Sequence, residues 1–150
     1  MSEHIYKQHN KTLLLYHLVF PSKYRRKVLT EPVEETLKQV CIGISERYEL
    51  RFLEIGSDED HVHLLIQSVP NMSITSIVTI IKSITAREIF KNHPEVKKLL
   101  WGGNFWTSGY YANTVGSHGT EDVIQNYVKE HGREYKKLFS QQLSLFDDMI

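Results

Sequence analysis

An α+β protein built on one antiparallel sheet is what this sequence predicts, from three observations. Apolar runs and helical stripes follow one another in the order strand, helix, strand, strand, helix, strand, with one further helix at the end. The second and third strand segments are separated by a hairpin-sized connection. At 150 residues, 41% hydrophobic and 24% charged, the chain is long enough to bury one good core. The split βαβ order is that of a ferredoxin-like, or RRM-like, βαββαβ sheet, here with an added C-terminal helix.

Composition narrows the classes of function. Lys plus Arg and Asp plus Glu both count 18, so the net charge is zero and exerts no global pull toward nucleic acid. Any contact with DNA or RNA must come from a local basic patch. Cys41 is the only cysteine, which leaves no internal disulfide and no Cys-based zinc site, and a reducing, cytoplasmic setting is expected. The longest apolar run, Leu13 to Phe20, is interrupted by Tyr16-His17 and is far too short to span a bilayer. The N-terminus does not read as a signal peptide, and no membrane association is expected. Without repeats, low-complexity tracts or a linker, residues 1–150 read as a single domain, with a core over about 13–139 and a tail over 140–150.

Each element has its own signal. Residues 1–11 are polar and are expected to be frayed or loosely docked. Leu13 to Phe20 reads as a buried central strand, stopped by Pro21-Ser22. Lys23-Tyr24-Arg25-Arg26-Lys27 follows, four cations and an aromatic within five residues. Such a cluster is either a solvated loop or a grip on phosphates with a ring available for base stacking, and both readings are open at this point. Pro32 in a first turn, with Glu31, Glu34 and Glu35 around it, opens a helix. Val33, Leu37, Val40, Cys41, Ile44 and Tyr48 then recur at helical spacing as its core-facing stripe. Leu50 to Gly56 reads as a second strand, and Ser57-Asp58-Glu59-Asp60 as the connection to a third.

That third strand centres on apolar Leu64 to Ile66 and begins with His61-Val62-His63. Ser73 caps the next helix, whose Ile74, Ile77, Val78, Ile81 and Ile84 lie on one stripe, although this β-branched run lowers helix propensity. Lys82, Arg87 and Lys91 fall off the stripe, toward solvent or a ligand, and His93-Pro94 ends the helix. Trp101-Gly102-Gly103-Asn104 is a turn, and Phe105 to Val115 contains a fourth strand rich in Tyr and Trp. Gly116-Ser117-His118-Gly119 forms a flexible joint. Thr120, with Glu121 and Asp122 in the first turn, starts the last helix, which Gly132 weakens or bends.

The chemistry gathers on two of these elements. In a strand, alternate side chains share a face, so His61 and His63 project together while Val62 points into a core. Two imidazoles fixed side by side make half of a metal site, because neutral ring nitrogens are common ligands for transition metals. A sheet rim that merely carries two histidines is the bland alternative. On the last helix Tyr127 and His131 are four residues apart and share a face, near Ile124, Val128, Tyr135 and Leu138, and by themselves they read as packing against that apolar side. Taken together the set is chemically coherent. A metal held by imidazoles polarises a phosphate oxygen, a nearby phenol attacks the phosphorus, and His131 supplies a third nitrogen one turn beyond Tyr127.

The chain resembles the single-tyrosine HUH transposases of bacterial insertion sequences, the small TnpA-like type. HUH stands for His-hydrophobic-His, matched by His61-Val62-His63 within Asp60-His61-Val62-His63-Leu64-Leu65. Also similar are Tyr16-His17-Leu18-Val19-Phe20 running into Lys23-Tyr24-Arg25-Arg26-Lys27-Val28-Leu29, and Lys82-Ser83-Ile84-Thr85-Ala86-Arg87. Trp106 with Gly109-Tyr110-Tyr111, Thr114-Val115-Gly116-Ser117 and the Tyr127 helix complete a similarity over residues 13 to 135. The resemblance implies a ferredoxin-like domain that cuts single-stranded DNA at transposon ends with a divalent metal. Tyr127 would attack the phosphodiester, leaving a 5′-phosphotyrosine and a free 3′-hydroxyl, and another strand's hydroxyl would reverse the step. Family members recognise DNA hairpins near the element ends and work as dimers with sites shared between subunits. Lys23, Arg25, Arg26, Lys27, Lys82 and Arg87 are the expected DNA contacts.

One departure from the family pattern bears on the metal. The family usually carries a glutamine one turn after the tyrosine, where this sequence has His131. A nitrogen-rich site favours Mn²⁺, Co²⁺ or Zn²⁺ over Mg²⁺, which prefers oxygen and keeps its waters. Three other readings compete with transposition. A domesticated relative would process chromosomal repeats. A non-catalytic single-strand RNA- or DNA-binding module would present sheet aromatics to bases and ignore metal. A small-molecule metallohydrolase would need a catalytic carboxylate beside the His pair, which the sequence does not make evident.

Overall fold

The computed structural model of the protein describes residues 4–101 and 103–115. The segment expected to form the final helix and tail, with Tyr127 and His131, lies outside the described residues. Within them, the first strand of the sheet proper, β3, spans Leu14–Pro21 and follows a short hairpin of β1 (Ile5–Lys7) and β2 (Asn10–Thr12). Helix α1 (Glu31–Arg47), β4 (Arg51–Asp58), β5 (His61–Ser68), α2 (Ile74–Asn92), α3 (Pro94–Leu99) and β6 (Tyr111–Val115) complete the order. The four-stranded sheet runs β4-β5-β3-β6, with every neighbouring pair antiparallel. This is the ferredoxin-like arrangement that the element order predicts, and it puts the two histidines of β5 on a central strand.

Three local expectations need correction. The polar N-terminus is not frayed: Ile5 pairs with Thr12 and Lys7 with Asn10, and the Lys7 ammonium binds Glu49. Backbone pairing, which no hydrophobic alternation advertises, orders it. The β4–β5 connection is a two-residue turn, Glu59-Asp60, because Ser57 and Asp58 extend the ladder opposite Val62 and His61. Pro94 ends α2 as expected, yet it also opens the short α3 from its first turn, the one helical position where proline costs nothing.

Helix α1 starts as the sequence predicts, with Pro32 in the first turn and Glu31 and Glu34 facing the positive end of the helix dipole. Val33, Leu37, Cys41 and Ile44 are its buried stripe. Ser73 caps α2 by accepting from the Ser76 backbone N–H at 3.1 Å. Its β-branched stripe, Ile77, Val78, Ile81 and Ile89, is buried, and that packing outweighs propensity.

Both helices cover one face of the sheet, meeting Leu18 and Phe20 of β3 and Val62, Leu64 and Ile66 of β5 in a single core. By strand alternation the opposite face carries His17 and Val19 of β3 and His61, His63 and Leu65 of β5. No helix among the described residues is long and apolar enough to cross a membrane.

Candidate active site

The register of the sheet assembles one end of this second face. His61 opens β5 opposite Asp58 of β4 and Pro21 of β3, and His63 sits opposite Gly56 and Val19. Gly56 is the reason the His63 imidazole can lie flat against β4. A Cβ at that position would come within 2.1 Å of His63 Cε1 and 2.3 Å of Nε2. Across β3, the rings of His17 and His63 meet edge to face, with centroids 6.4 Å apart. His17 was not singled out from sequence as a site residue; once β3 and β5 are known to be neighbours, its odd position in the strand puts it on the His63 face.

The tip of the β4–β5 hairpin fixes the first histidine. Asp60 Oδ1 is 2.9 Å from His61 Nδ1, and Arg25 donates to Asp60 Oδ2 at 3.3 Å. The tip is itself pinned: Ser22 donates its N–H and hydroxyl to the Asp60 carbonyl at 2.9 and 3.1 Å, and Leu29 N–H donates to the Glu59 carbonyl at 2.9 Å. A carboxylate on one ring nitrogen of a histidine sets its tautomer and orients the other nitrogen, the usual arrangement behind a metal-binding imidazole. So a carboxylate does stand beside the His pair, placed to orient a ring.

Burial keeps the rings neutral. His17 and His63 are both lowered to about 4 by desolvation, with the neighbouring His17 and His61 adding to the effect on His63. A folded-state value below the ordinary 6.5 means that the unfolded chain takes up protons first as the pH falls. Stability fully present above pH 6.5 should therefore be lost progressively down to about pH 4, by a few kcal/mol for the two rings together. Urea unfolding of metal-free protein at pH 7.5 and pH 5 measures this. A midpoint unchanged between them would show that the two rings titrate normally.

The basic cluster divides into separate tasks. Arg25 faces inward to Asp60, whereas Lys27 reaches Glu59 at 3.5 Å on the exposed surface. Lys23 lies over the Tyr24 ring and Arg26 over the Trp101 ring, at 5.3 and 4.8 Å from the centroids. Lys82 is not a surface cation. It donates to the carbonyls of Thr107 and Gly109 at 2.8 and 2.9 Å, and burial lowers it to about 8. Arg87 remains well exposed beside Glu88. Lys23, Lys82 and Arg87 nevertheless converge on one cleft of about 520 Å³ with Phe90, Asn104 and Trp106. Tyr127 and His131 lie outside the described residues. Among the described residues, no group of three or more His, Cys, Asp or Glu is placed to hold a metal ion.

Comparison with known proteins agrees with this architecture. A family model described as IS200-like transposase matches residues 10–131. The chain is 37% identical over 122 residues to the ISDra2 transposase TnpA of Deinococcus radiodurans, covering 81% of this chain and 86% of that one. It is 29% identical over 137 residues to the transposase for insertion sequence element IS200 of Salmonella typhimurium, covering 91% and 88%. Among solved structures, a protein from Deinococcus radiodurans R1 described as a transposase superposes with a TM-score of 0.69 at 32% identity, over 84% of this chain and 96% of that one. A REP-associated tyrosine transposase bound to a REP hairpin shares the fold, with a TM-score of 0.52 at 15% identity over 87% and 74%. A match that runs from β2 through the His pair and beyond the last described strand leaves one conclusion: the chain belongs to the IS200-like transposases.

Proposed function

We propose that this transposase cleaves and rejoins single-stranded DNA at insertion-sequence ends through a covalent 5′-phosphotyrosine on Tyr127. The observation that carries the reading is the oriented imidazole pair. Asp60 takes Nδ1 of His61, which makes Nε2 its ligating nitrogen, and His63 sits neutral on the same face of the same strand. The donor set fits a divalent ion of the Mn²⁺, Co²⁺ or Zn²⁺ kind, or Mg²⁺ with waters retained, and His131 is the third ligand in this reading. When bound, such an ion supplies charge neutralisation at a non-bridging phosphate oxygen.

The chain's own groups carry the rest. The Tyr127 hydroxyl oxygen attacks phosphorus, the bond from phosphorus to the 3′ oxygen breaks, and the phenolic proton ends on that oxygen as a free 3′-hydroxyl. One phosphodiester replaces another, so the 3′-hydroxyl of a second strand can run the step backwards and join a new end. Exposed Arg26, Lys27 and Arg87, with half-buried Lys23, serve the phosphates, while Arg25 and Lys82 act inward, on Asp60 and on the loop before β6. A hairpin near the element end is the proposed recognition feature, in line with the hairpin bound by the REP-associated relative. Two cleaved ends must be held together for exchange, so the working form is a homodimer in which His61 and His63 of one chain serve Tyr127 of the other.

Incubation with single-stranded DNA and Mn²⁺, followed by a denaturing gel, tests the reading. A 3′-labelled strand should become attached to the protein, and a 5′-labelled strand should be released shortened with a 3′-hydroxyl. No adduct with any divalent metal would reject it. Asp60→Asn should keep the fold but lower metal-dependent cleavage by roughly 10- to 100-fold, the usual consequence of losing a carboxylate behind a ligand. Full activity with an unchanged metal requirement would show that Asp60 does not position His61.

A further inference from the structure

Three described residues other than glycine have left-handed backbone: Tyr24 (φ 58), Arg25 (φ 50) and Trp101 (φ 54). That conformation is unfavourable for bulky side chains and persists only where the surroundings enforce it. All three lie in one patch. The Tyr24 and Trp101 rings are 6.5 Å apart and tilted, and the Arg26 guanidinium stands 4.8 Å from the Trp101 centroid. The patch is also open, with Tyr24 56% and Trp101 78% exposed. Single exposed aromatics are ordinary, but two touching ones on strained backbone, one carrying a cation, are not scattered surface.

We propose that Tyr24, Trp101 and Arg26 form a stacking platform that holds one unpaired base of the DNA strand next to the His61 and His63 site. The proposal rests on the single-strand reading above and adds to it where the strand is gripped. One guanidinium cannot cover both faces of an indole that is 78% exposed, so a π-face is available to a base. The surroundings suit a polyanion. Lys23 and Lys27 flank the Tyr24 to Arg26 segment in sequence, and Lys97 and Lys98, exposed at the end of α3, precede Trp101. In a chain of zero net charge this is a local concentration of cations.

Position follows from the hydrogen bonds already described. Tyr24 and Arg26 bracket Arg25, whose guanidinium holds Asp60, which holds His61. A base on the platform is thus registered, through the backbone at Arg25 and the polar contacts from Arg25 to Asp60 and His61, against the proposed metal ligand. That would decide which phosphodiester lies at the His pair, a task that salt-dependent phosphate contacts cannot perform because every phosphate is alike.

The chain has two tryptophans, and Trp106 is buried at 5% exposure, so quenching of the solvent-exposed emission reports Trp101. The test is titration of the full-length protein with a short single-stranded oligonucleotide in chelator, where no cleavage occurs. Binding should quench that emission. Trp101→Leu should abolish the quench and weaken binding roughly five- to hundred-fold, and Trp101→Phe, which keeps a ring, should restore most of the affinity. Abasic substitution along the oligonucleotide should find one position whose loss matches that of Trp101→Leu and adds nothing to it. Indifference of the abasic scan at every position would overturn the proposal. So would a Trp101→Leu protein that binds DNA normally but loses its oligomeric state, which would make the patch a protein interface. A protein that quenches as expected yet never forms a covalent adduct would keep the platform and reject the nuclease reading.

Discussion

A Tyr127→Phe protein is expected to bind single-stranded DNA like the wild type and to form no covalent adduct with it. The substitution removes one hydroxyl and leaves the ring to pack wherever Tyr127 packs, so the loss is chemical. Without the nucleophile the reaction has no first step, and cleavage should fall by several orders of magnitude. The tyrosine hydroxyl is a weak nucleophile at its ordinary pKa of about 10, so its attack depends on charge stabilisation at the phosphate. Mixing then locates the residue. A Tyr127→Phe subunit exchanged with a His61→Ala/His63→Ala subunit should regain cleavage, with adduct only on the chain that keeps Tyr127. Persistent adduct in Tyr127→Phe would transfer the role, with Tyr135 the next residue to replace. Proven heterodimers without activity would place each site within one chain.

Gly56→Ala is expected to abolish metal-dependent cleavage while leaving the fold intact. Gly56 is in ordinary strand register opposite His63 and its backbone is not left-handed, so alanine suits its conformation. The obstacle is the new Cβ, 2.1 Å from the His63 ring, far inside contact distance. The ring is the far end of a side chain and can swing away, so stability should change by no more than about 1 kcal/mol. What is lost is the position of the ligand. Misplacing a reacting group by about 1 Å costs roughly 10²-fold, and a displaced ligand should cost at least as much, approaching His63→Ala. Metal titration by calorimetry separates the two possibilities. A Gly56→Ala protein that binds Mn²⁺ and cleaves at the wild-type rate would mean that His63 does not act from its place over Gly56.

Much of this arrangement is legible in the sequence, and what is not has a common cause. Helical spacing found α1 and α2 because their stripes, Val33 to Ile44 and Ile77 to Ile89, face a single core. A short apolar run, Leu64 to Ile66, between polar connections found β5, and His-x-His on a strand is readable because period two does not depend on tertiary structure. Contacts between distant segments are another matter. Nothing local distinguishes Arg25 from Arg26, yet one turns to Asp60 and the other to Trp101. Lys82 falls off an apolar stripe and so reads as facing solvent or a ligand, but the loop at Thr107 and Gly109 folds over it. Gly56 reads as an ordinary strand-end glycine until register sets it under His63. In each case the deciding fact is which segment lies across the gap.

The central position of β3 has a consequence for how the protein is made. It is the first strand of the main sheet to leave the ribosome and the last to acquire both neighbours. Leu15 pairs with Gln67 on one side and with Val115 on the other. At ordinary synthesis rates the chain needs on the order of ten seconds to supply that second partner. Throughout that interval an apolar strand, Leu14–Pro21, presents an unpaired edge on which a neighbouring nascent chain can add. Long-range pairing of this kind also slows the final closure. Insolubility under rapid expression would then reflect crowding of unfinished chains, and slower synthesis should recover material that is as stable as any other once β6 has docked.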